Sequence, residues 1–165
     1  MKLKILIINF GVISILIQTV IIREFISNFN INELYLGIAY TLWLFGFGFG
    51  AIIKGSFLKR ILNFSQRLIV LNVVLVFQLS ITIIIFQFSK NIFNISTVEY
   101  ISIYDTMIIL MICLLPIGLN LGYQFSLLIS VYLEESNKSI HPAVSVYTYD
   151  CLGNFIGGII ISFIL

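Results

Sequence analysis

Val146-Tyr147-Thr148-Tyr149-Asp150-Cys151-Leu152-Gly153-Asn154-Phe155-Ile156-Gly157-Gly158 lies inside the run Ala143 to Leu165, where Asp150 is the sole charged residue. About 20 apolar residues are enough for a helix to cross a bilayer, and this run has that length. A carboxylate at membrane depth costs about 2.5 kcal/mol or more, so it usually faces protein or a water-filled cavity. At about 1.5 Å per residue, Asp150 stands roughly 12 Å along a helix that opens at Pro142. Proline suits that first turn, where its missing N–H is harmless. The glycines that follow Asp150 point to a helix packed closely against a neighbour.

The rest of the chain has the same character. Of its 165 residues 60% are hydrophobic and 10% charged, and the mean hydropathy is +1.12. Soluble domains carry about 25% charged residues. Lipid is therefore the expected solvent for much of the surface. Testing each run against spanning length gives five expected transmembrane helices, at about 5–22, 34–53, 68–88, 106–133 and 143–165. Residues 1–165 form a single integral membrane domain in this reading. The expected class is an all-α, polytopic membrane helix bundle. The alternating ten-residue segments of a transmembrane β-barrel are absent. The first run is preceded by Met1-Lys2-Leu3-Lys4 but ends in no small-x-small cleavage site, so it reads as a retained helix rather than a signal peptide. The fourth run exceeds a straight crossing, and Pro116 within it predicts a kink or tilt.

Basic residues set the expected orientation. Lys2, Lys4, Lys54, Lys59, Arg60, Arg67 and Lys138 share one side if five helices alternate, and only Arg23 and Lys90 fall on the other. That places the N-terminus in the cytoplasm and gives a multi-pass protein of the plasma membrane. The segment Ser89 to Asp105 is expected to lie partly along the outer interface. Within it, Asn94-Ile95-Ser96 matches a glycosylation triplet that is common by chance. Asp105 suits the N-terminus of the fourth helix. Arg23-Glu24 and Glu33 read as a solvated interface cluster whose pairs contribute little.

Several chemistries are excluded. A net charge of +2 with no basic stripe gives no nucleic-acid partner. His141 is the single histidine, and Cys113 and Cys151 lie in apolar runs with no Cys/His cluster, so no metal or haem ligand set exists. No cofactor is expected. Gly46-Phe47-Gly48-Phe49-Gly50 lacks the preceding strand and following acidic residue of a nucleotide loop. Gly55-Ser56-Phe57-Leu58-Lys59-Arg60 reads as a basic cytoplasmic anchor.

Small residues recur four apart on three spans, at Gly46 and Gly50, Gly118 and Gly122, and Gly153 and Gly157. Such faces let neighbouring backbones approach closely, which assigns these six glycines to helix packing within the chain or in a homo-oligomer. Asp150, Gln124, Asn120 and Tyr147 form the candidate intramembrane polar site, with Thr148 and Tyr149 as further hydroxyl partners for the carboxyl group. Two roles stay open for Asp150. It either locks helices by hydrogen bonding or binds a proton or cation.

These blocks together resemble the membrane domain of membrane-bound spermidine synthase-like (polyamine aminopropyltransferase-like) proteins. Gln18 with Arg23-Glu24 resembles the end of that family's first helix, and Gly46, Gly48, Gly50 and Gly55 resemble its glycine-rich second helix. Pro116, Gly118, Gly122 and Phe125 resemble the long fourth helix, with Ser126 where a proline is common. Tyr147, Asp150, Gly153 and Gly157 resemble the signature of the next helix and are the most specific block. In that family aminopropyl transfer to putrescine belongs to a soluble nucleotide-binding domain after the helices. No strand–glycine loop–helix unit and no acidic diamine-binding pair occur in these 165 residues, so no catalytic residue carries over. The resemblance implies an anchor or regulatory module without catalysis of its own, serving a separate synthase-like chain. The alternatives are a half-transporter for a polyamine or other small cation, and a small membrane scaffold.

Overall fold

The computed structural model of the chain describes residues 2–29, 33–53, 63–92, 102–135 and 142–164. They form five α-helices: α1 (Lys2–Phe29), α2 (Glu33–Ile52), α3 (Phe64–Ile92), α4 (Ile103–Glu135) and α5 (Pro142–Ile164). All five are long and apolar enough to cross a membrane, and no strand occurs among the described residues. The protein is an all-α, multi-pass integral membrane protein. Lys54, the segment Gly55 to Arg60, the Asn94-Ile95-Ser96 triplet, Lys138 and His141 lie outside the described residues. So does most of the expected interfacial segment.

Helix ends depart from the expected spans where side-chain packing continues beyond the apolar run. Arg23-Glu24 does not close α1, which runs on to Phe29. The reason is aromatic. Phe25 and Phe29 are buried and stack with Phe86 of α3 at centroid distances of 5.6 and 5.5 Å. Arg23 stays on the exposed face. The same contact carries α3 past residue 88. At its start, the Asn63 N–H donates to Gln66 Oε1 (3.1 Å) and the Asn63 carbonyl accepts from the Arg67 N–H (3.0 Å), half of a reciprocal cap.

The α4 helix remains helical through Pro116 and spans 33 residues. At 1.5 Å per residue that is about 50 Å, against about 30 Å of hydrocarbon, so α4 tilts or projects. Ser102 caps it, accepting the Tyr104 N–H on Oγ (3.3 Å) and the Thr106 N–H on its carbonyl (3.0 Å). Asp105 occupies its first turn as expected, and Pro142 opens α5.

Two compact units divide the chain. One comprises Met1–Val20 with Phe125–Leu165, the other Ile21–Gln124. In the first unit, Ile7, Phe10, Leu128 and Val146 are buried, and Phe10 lies 6.4 Å from Phe125. In the second, Trp43, Leu75, Leu110, Ile117 and Leu121 are buried with the Phe25–Phe29–Phe86 cluster.

Helix directions follow from which residues meet. In the first unit Gly11 of α1 faces Asp150 and Asn154 of α5, while Val12 and Ile15 face Gly157. Numbers rise together, so α1 and α5 are parallel. In the second unit Gly46 of α2 faces Leu115 and Gly118 of α4, and Ala51 faces Gly122, again in parallel. Between α3 and α4 the order reverses. Leu71 pairs with Asn120, and Gln78 pairs with Pro116. Within the units, the parallel pairs are thus α1 with α5 and α2 with α4, and the antiparallel pair is α3 with α4.

Candidate functional site

Each unit holds a group of buried polar side chains within its candidate membrane spans. In the first unit the group is built on the α1–α5 crossing. Asp150 is 9% exposed, although it stands mid-helix in an apolar sequence. Its Oδ2 accepts a hydrogen bond from Asn154 Nδ2 at 3.3 Å, one turn on. Its Oδ1 is buried without a hydrogen-bond partner.

Gly11 makes this placement possible. A side-chain carbon there would meet the Asp150 carbonyl oxygen and lie 3.0 Å from both Asp150 Oδ1 and Asn154 N. The carboxyl group therefore packs on bare α1 backbone. Gly153 repeats the contact from the other side, since a Cβ on it would meet the Ile8 carbonyl and lie 3.0 Å from Gly11 Cα. One turn further, Gly157 lies against Ile15 and Val12. Before the crossing, the Lys4 ammonium sits 5.2 Å from the centre of the Tyr149 ring, a cation–π contact at the opening turn of α1.

The second unit holds a ladder of three amides. Gln124 Nε2 donates to Asn120 Oδ1 (3.1 Å). Asn120 Nδ2 donates to Gln78 Oε1 (3.1 Å) and to the Leu71 carbonyl (3.2 Å). Gln78 Nε2 donates in turn to the Pro116 carbonyl (3.3 Å). Asn120 and Gln124 are one turn apart on α4, and both are buried. Transmembrane amides of this kind join helices because lipid offers them no alternative partner.

Of the four residues assigned from sequence to one polar site, the hydrogen bonds gather Asn120 with Gln124. Asp150 bonds to Asn154, and Tyr147 is 61% exposed on α5. The six packing glycines fall into two joints. Gly46 and Gly50 face Gly118, Leu115 and Leu119, while Gly118 and Gly122 face Trp43, Phe47 and Ala51. Gly153 and Gly157 face α1. Sequence reasoning missed Gly11, Asn154 and Gln78. For Gln78 a signal existed, an amide at mid-span in an otherwise aliphatic helix. Gly11 has no small neighbour four residues away, and Asn154 is masked by the more conspicuous Asp150.

Chemically, the first group offers one carboxyl group with an unused oxygen, and the second offers amides engaged with each other. No group of three or more potential metal ligands occurs among the described residues. No protein-family model, curated protein or solved structure matches this chain.

Proposed function

We propose that the chain is a non-catalytic module of the plasma membrane, of the spermidine synthase-like kind, that anchors or regulates a separate catalytic chain, with its N-terminus in the cytoplasm. The observation that carries this reading is the placement of Asp150, which belongs to the most specific block of the resemblance, directly on the bare backbone at Gly11. A carboxyl group held there, flanked by Gly153 and Gly157, acts as part of a helix joint. The Gln78–Asn120–Gln124 ladder supports the same view, because its amides are spent on one another.

The test is co-purification with a defined activity. Tagged chain solubilised from its native membrane should carry aminopropyl transfer from decarboxylated S-adenosylmethionine to putrescine into the eluate. The chain purified to homogeneity should show none. An eluate without the activity rejects the synthase-linked role.

One observation favours the half-transporter alternative, namely the unpartnered Oδ1 of Asp150. Proteoliposomes distinguish the two readings. The module reading expects no polyamine uptake above protein-free vesicles. Uptake that disappears in Asp150→Asn would instead assign transport to this carboxyl group.

A further inference from the structure

We propose that the first turn of α3, together with Arg67, is a binding site for the phosphate of an anionic phospholipid headgroup. The proposal rests only on the chain crossing a membrane and is independent of any synthase-like role. Arg67 is 9% exposed, and its Nε is buried with no hydrogen-bond partner. A guanidinium carries five N–H donors in a fixed fork, and a buried Nε–H left without an acceptor is out of keeping with how proteins bury polar groups.

Local geometry supplies the rest of an anion site. Side chains on a helix lean towards its N-terminus, so Arg67 leans over the first turn of α3. There the N–H groups of Phe64, Ser65 and Gln66 have no acceptor within the helix, and the helix dipole is positive. The side chain of Gln66 does not compete for the ligand, because its Oε1 already accepts from the Asn63 N–H. Backbone N–H groups at a helix start with a guanidinium beside them match the several oxygens of a phosphate.

No described carboxylate of the same unit can neutralise Arg67. Measured from the Leu71–Asn120 contact, Arg67 lies about 6 Å along α3 in one direction. Asp105 lies about 22 Å along α4 in the other, because the two helices are antiparallel. Glu24 adjoins Phe25, which stacks on Phe86 far along α3. Glu33 opens α2, which runs parallel to α4 and so starts at the Asp105 end. All three acidic residues sit at the opposite membrane boundary.

The source of the phosphate follows from depth. The candidate membrane span of α3 is Phe64–Ser89, so its first turn lies at one end of the crossing, a level that lipid headgroups reach. A cation that no described carboxylate of its own unit reaches selects a lipid with net negative charge over a zwitterionic one.

Native mass spectrometry of the full chain released from nanodiscs reads this directly. Wild-type protein should retain one phosphatidylglycerol, and Arg67→Gln should lower that retention about tenfold, the effect of losing a charge-assisted contact. Arg23→Gln, an exposed position at the other boundary, should retain the lipid unchanged. Equal retention by wild type and Arg67→Gln would overturn the site. A second measurement needs no variant: wild-type Tm should rise when phosphatidylglycerol replaces phosphatidylcholine, because the lipid binds the folded state. The same Tm in both lipids sinks the proposal. An equal rise with inorganic phosphate in lipid-free detergent would assign the site to free phosphate and overturn its assignment to lipid.

Discussion

At the residue scale the decisive position is Gly11, because the carboxyl group of Asp150 and the backbone of Asn154 occupy the space a side chain would take. Gly11→Val forces α1 and α5 apart, and overpacking of this kind costs about 1–3 kcal/mol. Detergent-induced unfolding followed by circular dichroism should show that loss. Gly48 is the internal control, since nothing lies within 4 Å of the position its Cβ would take. Gly48→Ala should be neutral or stabilise by up to about 1 kcal/mol, from improved helix propensity. Equal losses at the two sites would refute the geometry of the joint. Asp150, Gly153 and Gly157 were legible in the sequence because a charge and a four-residue glycine repeat are both out of place in a lipid-facing helix. Gly11 was not, since a lone glycine in an apolar run has no periodicity to mark it. Its role depends on a helix more than 130 residues later in the chain.

At the scale of elements, α2, α3 and α4 are joined by two different devices. The α2–α4 contact is close packing. A Cβ on Gly122 would meet the Phe47 carbonyl, and one on Gly50 would meet the Leu119 carbonyl. The α3–α4 contact is polar and depends on Asn120, which donates to both Leu71 and Gln78. Asn120→Leu removes both of these bonds and the one it accepts from Gln124 Nε2, leaving Gln78 Oε1 without its donor and Gln124 Nε2 without its acceptor. The expected cost is about 1–2 kcal/mol, near the upper range measured for transmembrane hydrogen bonds. Gln124→Leu removes a single bond at the end of the ladder and should cost about half as much. A smaller loss for Asn120→Leu than for Gln124→Leu would contradict the ladder. Helix existence was readable from hydrophobic length alone. Helix ends were not, because α1 and α3 are prolonged by the Phe25–Phe29–Phe86 cluster, and stacking between distant segments leaves no local trace.

For the whole molecule, the proposed topology has alternating crossings with the start of α1 on the cytoplasmic side, as the positive-inside bias predicts. In a Cys113→Ser, Cys151→Ser background, Lys2→Cys and Lys138→Cys should react with a membrane-impermeant thiol reagent only after the cytoplasmic face is opened. Lys90→Cys should react from outside in intact cells. Labelling of Lys2→Cys and Lys90→Cys from the same face would exclude the arrangement. The pairing of the helices also constrains how the chain is made. Each glycine joint links crossings that are not neighbours in sequence, α1 with α5 and α2 with α4. As the chain is inserted, the second helix waits in lipid for the fourth, and the bare backbone at Gly11 waits for the fifth. Any ribosome stalling or cleavage before α5 therefore leaves that strip of α1 uncovered, with backbone exposed to lipid where α5 would lie.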